Sequence, residues 1–252
     1  MLTLATTTSV GNSGLLDVLL PAYEREAHVV VRPQLVGSGR ALVMLASGQA
    51  DVAVTHAPAA ESAALREHPS WRYAKVMFND FVVVGPDSDP AGVRGAADAA
   101  DAARRIARSA SRFISRGDQS GTHEREQALW KAAGAVPAGD RLVVAGAGMG
   151  ATLRIAGETG SYTLTDRATY AQQKDRRSPA IVYENDAALL NTYAVVFDPA
   201  VSLADDAKAF MEWLTEGAGR GVIDNYRVGA AVRAFEVWPL GRTRTSPGDL
   251  PR

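Results

Sequence analysis

The chain has 252 residues, 27 Lys+Arg against 28 Asp+Glu for a formal net charge of −1, 46% hydrophobic residues and 22% charged ones. This is the composition of a globular chain of one or two domains, long enough to bury a core without cross-links. There is no cysteine, which excludes disulfides, thiolate zinc sites, iron–sulfur clusters and cysteine nucleophiles; the near-zero charge speaks against binding nucleic acid through an overall field. Any anion has to be held locally.

No apolar run of about 18 residues occurs, so nothing reads as a membrane span. Met1 to Thr6 has neither the basic region nor the apolar core of a secretory signal. In chain order, Thr3 to Ala5 reads as a short strand that ends in the hydroxyl run Thr6-Thr7-Thr8-Ser9. Leu15, Leu16, Leu19, Leu20 and Tyr23 then fall at helical spacing, with Asn12, Ser13 and Gly14 as capping candidates. A β-rich run (Val29 to Val31), the loop Gly37-Ser38-Gly39, a helix through Leu42 and Leu45, and an apolar strand from Ala50 to Thr55 follow. The order β-α-β-α-β predicts a parallel sheet with helices on its faces.

Lys75 to Val84 contains a buried strand that stops at Gly85-Pro86. Beyond it the spacing predicts a helix from Val93 to Ala107, a strand from Arg112 to Ser115, helices from Gly121 to Ala133 and Gly148 to Glu158, and a short strand from Tyr162 to Thr165. Ala188 to Phe197 holds a second buried strand, Asp205 to Thr215 and Gly219 to Tyr226 are helical, and an Arg-, Pro- and Gly-rich tail reads as irregular. This predicts an α/β fold of two lobes with a hinge and a ligand cleft between them: residues 1–84 with 194–252 in the first lobe, 85–193 in the second.

The segment Ser115-Arg116-Gly117-Asp118-Gln119-Ser120-Gly121-Thr122 carries the most chemistry. A strand ends and a helix begins within it, so the first-turn amides lack intrahelical acceptors and face outward with the positive end of the helix dipole. Ser120 and Thr122 add hydroxyls, Gly121 admits a ligand to the backbone, and Arg116 supplies a forked cation. The plain alternative is that Ser120 or Thr122 caps the helix and Arg116 pairs with Asp118. Thr6 to Ser9 and Gly37 to Gly39 repeat the strand-to-helix turn with hydroxyl donors, at the strand ends where open α/β sheets place ligands. Together the three turns point to the dehydration of a small oxyanion. His123-Glu124-Arg125-Glu126-Gln127 lacks the second His of a zincin and reads as a solvated helix face; Gly146 to Gly150 is an incomplete dinucleotide fingerprint. No nucleophile elbow or P-loop is present, His28 and His68 suggest no metal pair, and Trp71, Trp130, Trp213 and Trp238 read as core.

These motifs resemble those of type II periplasmic binding proteins for tetrahedral oxyanions, most closely the Tup-type tungstate-binding proteins. The resemblance rests on Thr6-Thr7-Thr8-Ser9, on the run from Ser115 to Thr122, on Ala50 to Pro58 and on Tyr162 to Arg167, and extends from about Leu2 to Phe197. It implies tungstate, or molybdate, bound through its oxygens by Thr8, Ser9, Ser38, Arg116, Ser120, Gly121 and Thr122. His56, Thr152 and Thr165 stand behind them; no catalytic residue, no metal-cation site and no cofactor is implied. Phosphate binders of this group carry an Asp at the end of the third strand to accept the proton of hydrogen phosphate, whereas this chain has His56, which either donates to an anion or packs behind it. The resemblance implies a periplasmic or extracytoplasmic monomer that delivers the anion to an ABC importer permease. The alternatives are the effector-sensing domain of a regulator, or a binder of sulfate or phosphate.

Overall fold

The computed structural model describes residues 1–118, 120–173, 178–228 and 232–251. Two compact units divide the chain: Met1–Phe78 with Asn191–Arg252, and Asn79–Leu190. The divisions fall at 78/79 and 190/191 rather than at 84/85 and 193/194, because the apolar runs that suggested the boundaries are strands that continue past them.

The first unit opens with β1 (Leu2–Thr7), α1 (Thr8–Asn12), α2 (Leu15–Ala27), β2 (Val31–Val36), α3 (Ser38–Ala46), β3 (Val52–Thr55), α4 (Pro58–Glu67) and β4 (Arg72–Gly85). β1 lies between β2 and β3, parallel to both, with Leu4 opposite Pro33 and Val52. Leu15, Leu16, Leu19, Leu20 and Tyr23 form the buried stripe of α2, as their spacing requires. The hydroxyl run is not a plain turn. The strand continues through Thr7, and the Thr7 hydroxyl caps a short extra helix, α1, by accepting the Val10 N–H at 3.4 Å; α2 begins as expected, with Gly14 as its N-cap residue and the Ser13 hydroxyl accepting the Leu15 N–H at 3.3 Å.

The second unit holds a 3₁₀ turn at Val93–Gly95, α5 (Ala99–Arg108), β5 (Phe113–Ser115), α6 (Gly121–Ala133), β6 (Leu142–Val144), α7 (Met149–Thr159), β7 (Thr163–Asp166), α8 (Arg167–Gln173) and β8 (Ala180–Tyr183). The single helix expected from Val93 is split. Asp98 adopts an extended conformation and caps α5 by accepting the Asp101 N–H at 2.7 Å. β7 and β8 run antiparallel to the later residues of β4, and β5 pairs parallel with β6. Phe81, Val83, Ile106, Phe113, Trp130 and Leu164 belong to its core.

The chain returns to the first unit through β9 (Leu190–Phe197), α9 (Ala204–Thr215), α10 (Gly219–Asn225), β10 (Arg227–Val228), β11 (Val232–Arg233) and β12 (Glu236–Val237). The first unit's strands follow the order β12-β4-β9-β3-β1-β2, with β9 antiparallel to β3. The tail is not irregular as expected. β12 pairs antiparallel with β4, and wholly buried Trp238 donates its backbone N–H to Val76 O at 2.9 Å and its indole N–H to Thr243 O at 3.0 Å. A strand of two residues has no periodicity to read; its partner creates it. Trp71, Trp130 and Trp213 are buried as well. Among the described residues no helix is long and apolar enough to cross a membrane.

Candidate functional site

In the first unit, the ends of β1, β3 and β9 and the start of α3 bring one polar set together. Thr8 is exposed as the first residue of α1, and Ser9 follows, half-buried. The Ser9 hydroxyl lies 2.9 Å from Thr7 Oγ1 and 3.1 Å from His56 Nε2. His56 Nδ1 lies 3.1 Å from Asn191 Oδ1, and the Asn191 amide donates to the Tyr193 hydroxyl at 2.7 Å. Buried Ser38 accepts the His56 backbone N–H at 3.2 Å. An amide oxygen facing Nδ1 places the imidazole proton there, so Nε2 accepts the Ser9 hydroxyl. In this tautomer His56 donates toward Asn191.

Behind this set lies a buried carboxylate that sequence reasoning missed. Glu61 on α4 accepts the Thr55 hydroxyl at 2.8 Å and the Ala57 N–H at 3.0 Å, bracketing His56 on both sides. It also accepts the Tyr73 hydroxyl at 2.7 Å and pairs with Lys75 at 3.7 Å; Lys75 in turn donates to Thr192 Oγ1 at 2.7 Å. Burial, then the neighbouring Glu61 charge, pushes the Tyr73 hydroxyl far above its usual range.

In the second unit, Arg116 follows the last residue of β5 and leads into α6. Its Nη2 pairs with Asp118. Burial alone would raise the Asp118 carboxyl, but the Ser120 hydroxyl and the Arg116 guanidinium hold it below the usual carboxylate range. The Ser120 N–H donates to Asp118 at 3.2 Å, and the Ser120 hydroxyl caps α6 by accepting the His123 N–H at 3.4 Å. The plain reading of this segment thus holds in full: a capped helix and a local ion pair. It does not use up the donors. Arg116 Nε is buried and, among the described residues, has no hydrogen-bond partner, and the N–H groups of Gly121 and Thr122 occupy the first turn of α6, where no intrahelical acceptor exists. Burial pushes the Asp166 carboxyl up, with the Arg116 charge among the effects that oppose it.

Thr152 and Thr165 are fully buried, and both hydroxyls are spent on backbone carbonyls: Thr152 on Ala147 and Gly148, Thr165 on Asp166. His123 and Gln127 contact each other at 3.2 Å on an exposed helix face. Among the described residues no group of three or more His, Cys, Asp or Glu could hold a metal ion. Gly117 sets the turn that presents Arg116, at φ 62°, with Val144 Cγ1 in the space that a Cβ would need. Gly117→Ala is therefore expected to cost about 1–3 kcal/mol of stability in urea denaturation; an unchanged midpoint would mean that the turn relaxes freely.

Residues 2–217 match the PBP superfamily domain. Tungstate-binding protein TupA of Peptoclostridium acidaminophilum is 40% identical over 229 residues, covering 88% of this chain and 80% of that protein. The solved tungstate-binding protein TupA of Desulfovibrio alaskensis G20 superposes with a TM-score of 0.81 at 36% identity, covering 94% of this chain and 98% of that one. The solved tungstate ABC transporter protein of Geobacter sulfurreducens gives 0.75 at 40% identity, covering 89% and 98%.

Proposed function

Since this chain belongs to the PBP superfamily and, within it, to the TupA-type tungstate-binding proteins, we propose that it binds tungstate as a tetrahedral oxyanion for uptake by an ABC importer. We assign the contacts to Thr8, Ser9, Ser38, Arg116, Ser120, Gly121 and Thr122; the Ser9 and Ser120 hydroxyls, which donate to His56 and Asp118 here, turn to the anion when it binds. The observation that carries this reading is the buried Arg116 Nε, which has no partner among the described residues: an unsatisfied guanidinium N–H is costly, and an oxyanion satisfies it with a charge-assisted bond. The remaining donors are neutral hydroxyls and amides, which hold a dianion without a large positive field and suit a chain of formal net charge −1. No bond of the anion changes, so the protein is a carrier rather than an enzyme. It works as an extracytoplasmic monomer that hands tungstate, and molybdate of like charge and shape, to the permease.

Titration calorimetry with tungstate, molybdate, sulfate and phosphate tests this. Tungstate binds, and phosphate binds more weakly by about tenfold or more, roughly one charge-assisted hydrogen bond. With His56 rather than a carboxylate at the end of β3, the proton of hydrogen phosphate lacks a charged acceptor there. Phosphate bound as tightly as tungstate would reject the assignment.

A further inference from the structure

We propose that Glu126 is a positioning residue for oxyanion binding: it fixes the turn that carries Arg116 to the body of α6 and acts on affinity through Arg116. The inference rests on the reading of Arg116 as an anion contact. Glu126 is 4% exposed. Its carboxylate accepts the Ser115 hydroxyl at 2.9 Å and the Trp130 indole N–H at 3.1 Å, and the backbone N–H of Arg116 joins these donors in favouring its charged form. Two of these donors come from the successive residues at which β5 ends and the donor turn begins. The third lies four residues further along the same helix and fixes the carboxylate on α6. One side chain thereby joins Arg116 and the first-turn amides of α6 into a single frame.

A buried carboxylate held by neutral donors is an expensive way to fill a core. Burial raises the Glu126 pKa against the pull of those same hydrogen bonds, and an apolar side chain of similar size usually serves stability as well or better. Its location therefore points to what the turn carries. The first unit repeats the construction: Glu61 accepts the hydroxyl of Thr55, the last residue of β3, and the N–H of Ala57, holding His56 between them. In both units a glutamate from the following helix grips the strand end from behind, where donor turns need preorganisation.

A double-mutant cycle on the full chain, read by tungstate titration calorimetry beside urea denaturation, tests the proposal. Glu126→Ala is expected to weaken tungstate binding about tenfold or more, the scale found for outer-shell partners of a bound centre. Glu126→Gln, which keeps an oxygen acceptor, restores part of that loss. In the Arg116→Ala background the Glu126→Ala effect shrinks to less than about twofold, because residues that act as one unit are not additive. A role confined to stability lowers the denaturation midpoint but leaves the two affinity losses multiplicative, and multiplicative losses overturn the brace alone. Arg116→Ala binding like the wild type overturns both the brace and the anion contact on which it rests. If Arg116→Ala binds too weakly to titrate, Arg116→Lys serves as the background. If Glu126→Ala fails to fold, Ser115→Ala removes the bond from the strand end, and the same non-additivity with Arg116 is required.

Discussion

Arg116→Ala is expected to weaken tungstate binding by at least an order of magnitude. A hydrogen bond to a charged group is worth about 1.5–3 kcal/mol, or roughly 10- to 100-fold in Kd. The fold should persist, because the Arg116 side chain is partly exposed and its ion pair is with Asp118, within the same turn. Removing it leaves Asp118 with the N–H and hydroxyl of Ser120. Calorimetry and circular dichroism together decide the matter: unchanged affinity in a folded variant would sink the assignment of Arg116 as an anion contact. Arg116→Lys separates charge from geometry. An ammonium keeps the charge but lacks the planar fork, so it recovers only part of the affinity.

Glu61→Ala is expected to produce the largest loss of stability. Glu61 and Lys75 are both wholly buried, and truncating one partner strands the other in a medium that solvates it poorly. Breaking such a pair typically costs about 3–5 kcal/mol, a large share of a domain's stability. The hydroxyls of Thr55 and Tyr73 and the N–H of Ala57 lose their acceptor at the same time. Urea denaturation of the single variant and of Glu61→Ala with Lys75→Met tests the cause. The double variant should recover much of the loss, since the stranded charge is gone; a single-variant loss below about 1 kcal/mol would mean that water reaches the site.

The elements that were legible in the sequence are those whose signals are local. α6 begins at Gly121 and ends at Ala133 as its spacing predicts, because Ser120 supplies the cap and Gly134, at φ 63°, the left-handed exit. β9 is legible because a strand covered on both faces reads as an apolar run, here Tyr193 to Phe197. β2 is not: Val29 to Val31 suggested it, but the strand is Val31–Val36, mostly exposed and containing Pro33. Its existence is decided by parallel pairing along β1, which no window around residue 31 reveals. The same divide runs through the site. Ser9, Ser38, Arg116 and Ser120 stand in turns whose hydroxyls and glycines announce a helix start. The partners that orient them do not announce themselves. Asn191 reaches His56 across 135 positions, and Glu61 and Glu126 look like the solvated glutamates of ordinary helices until the fold turns them inward. Asp118 was visible as the partner of Arg116, and the structure contains that pair without making it the whole account.

The strand order also has a bearing on how the molecule is made. β9, buried along its whole length, lies between β4 and β3 in the first unit, yet it is synthesised after the entire second unit. Residues 79–190 are contiguous and can acquire their contacts as they emerge. The first unit must wait with an open seam in its sheet until β9 inserts, and until the segment bearing Trp238 pairs with β4. Closing contacts over so long a separation is slow, and an unfilled sheet edge invites pairing with the wrong partner. Misassembly therefore threatens residues 1–78 most, which are made before the second unit and completed after it.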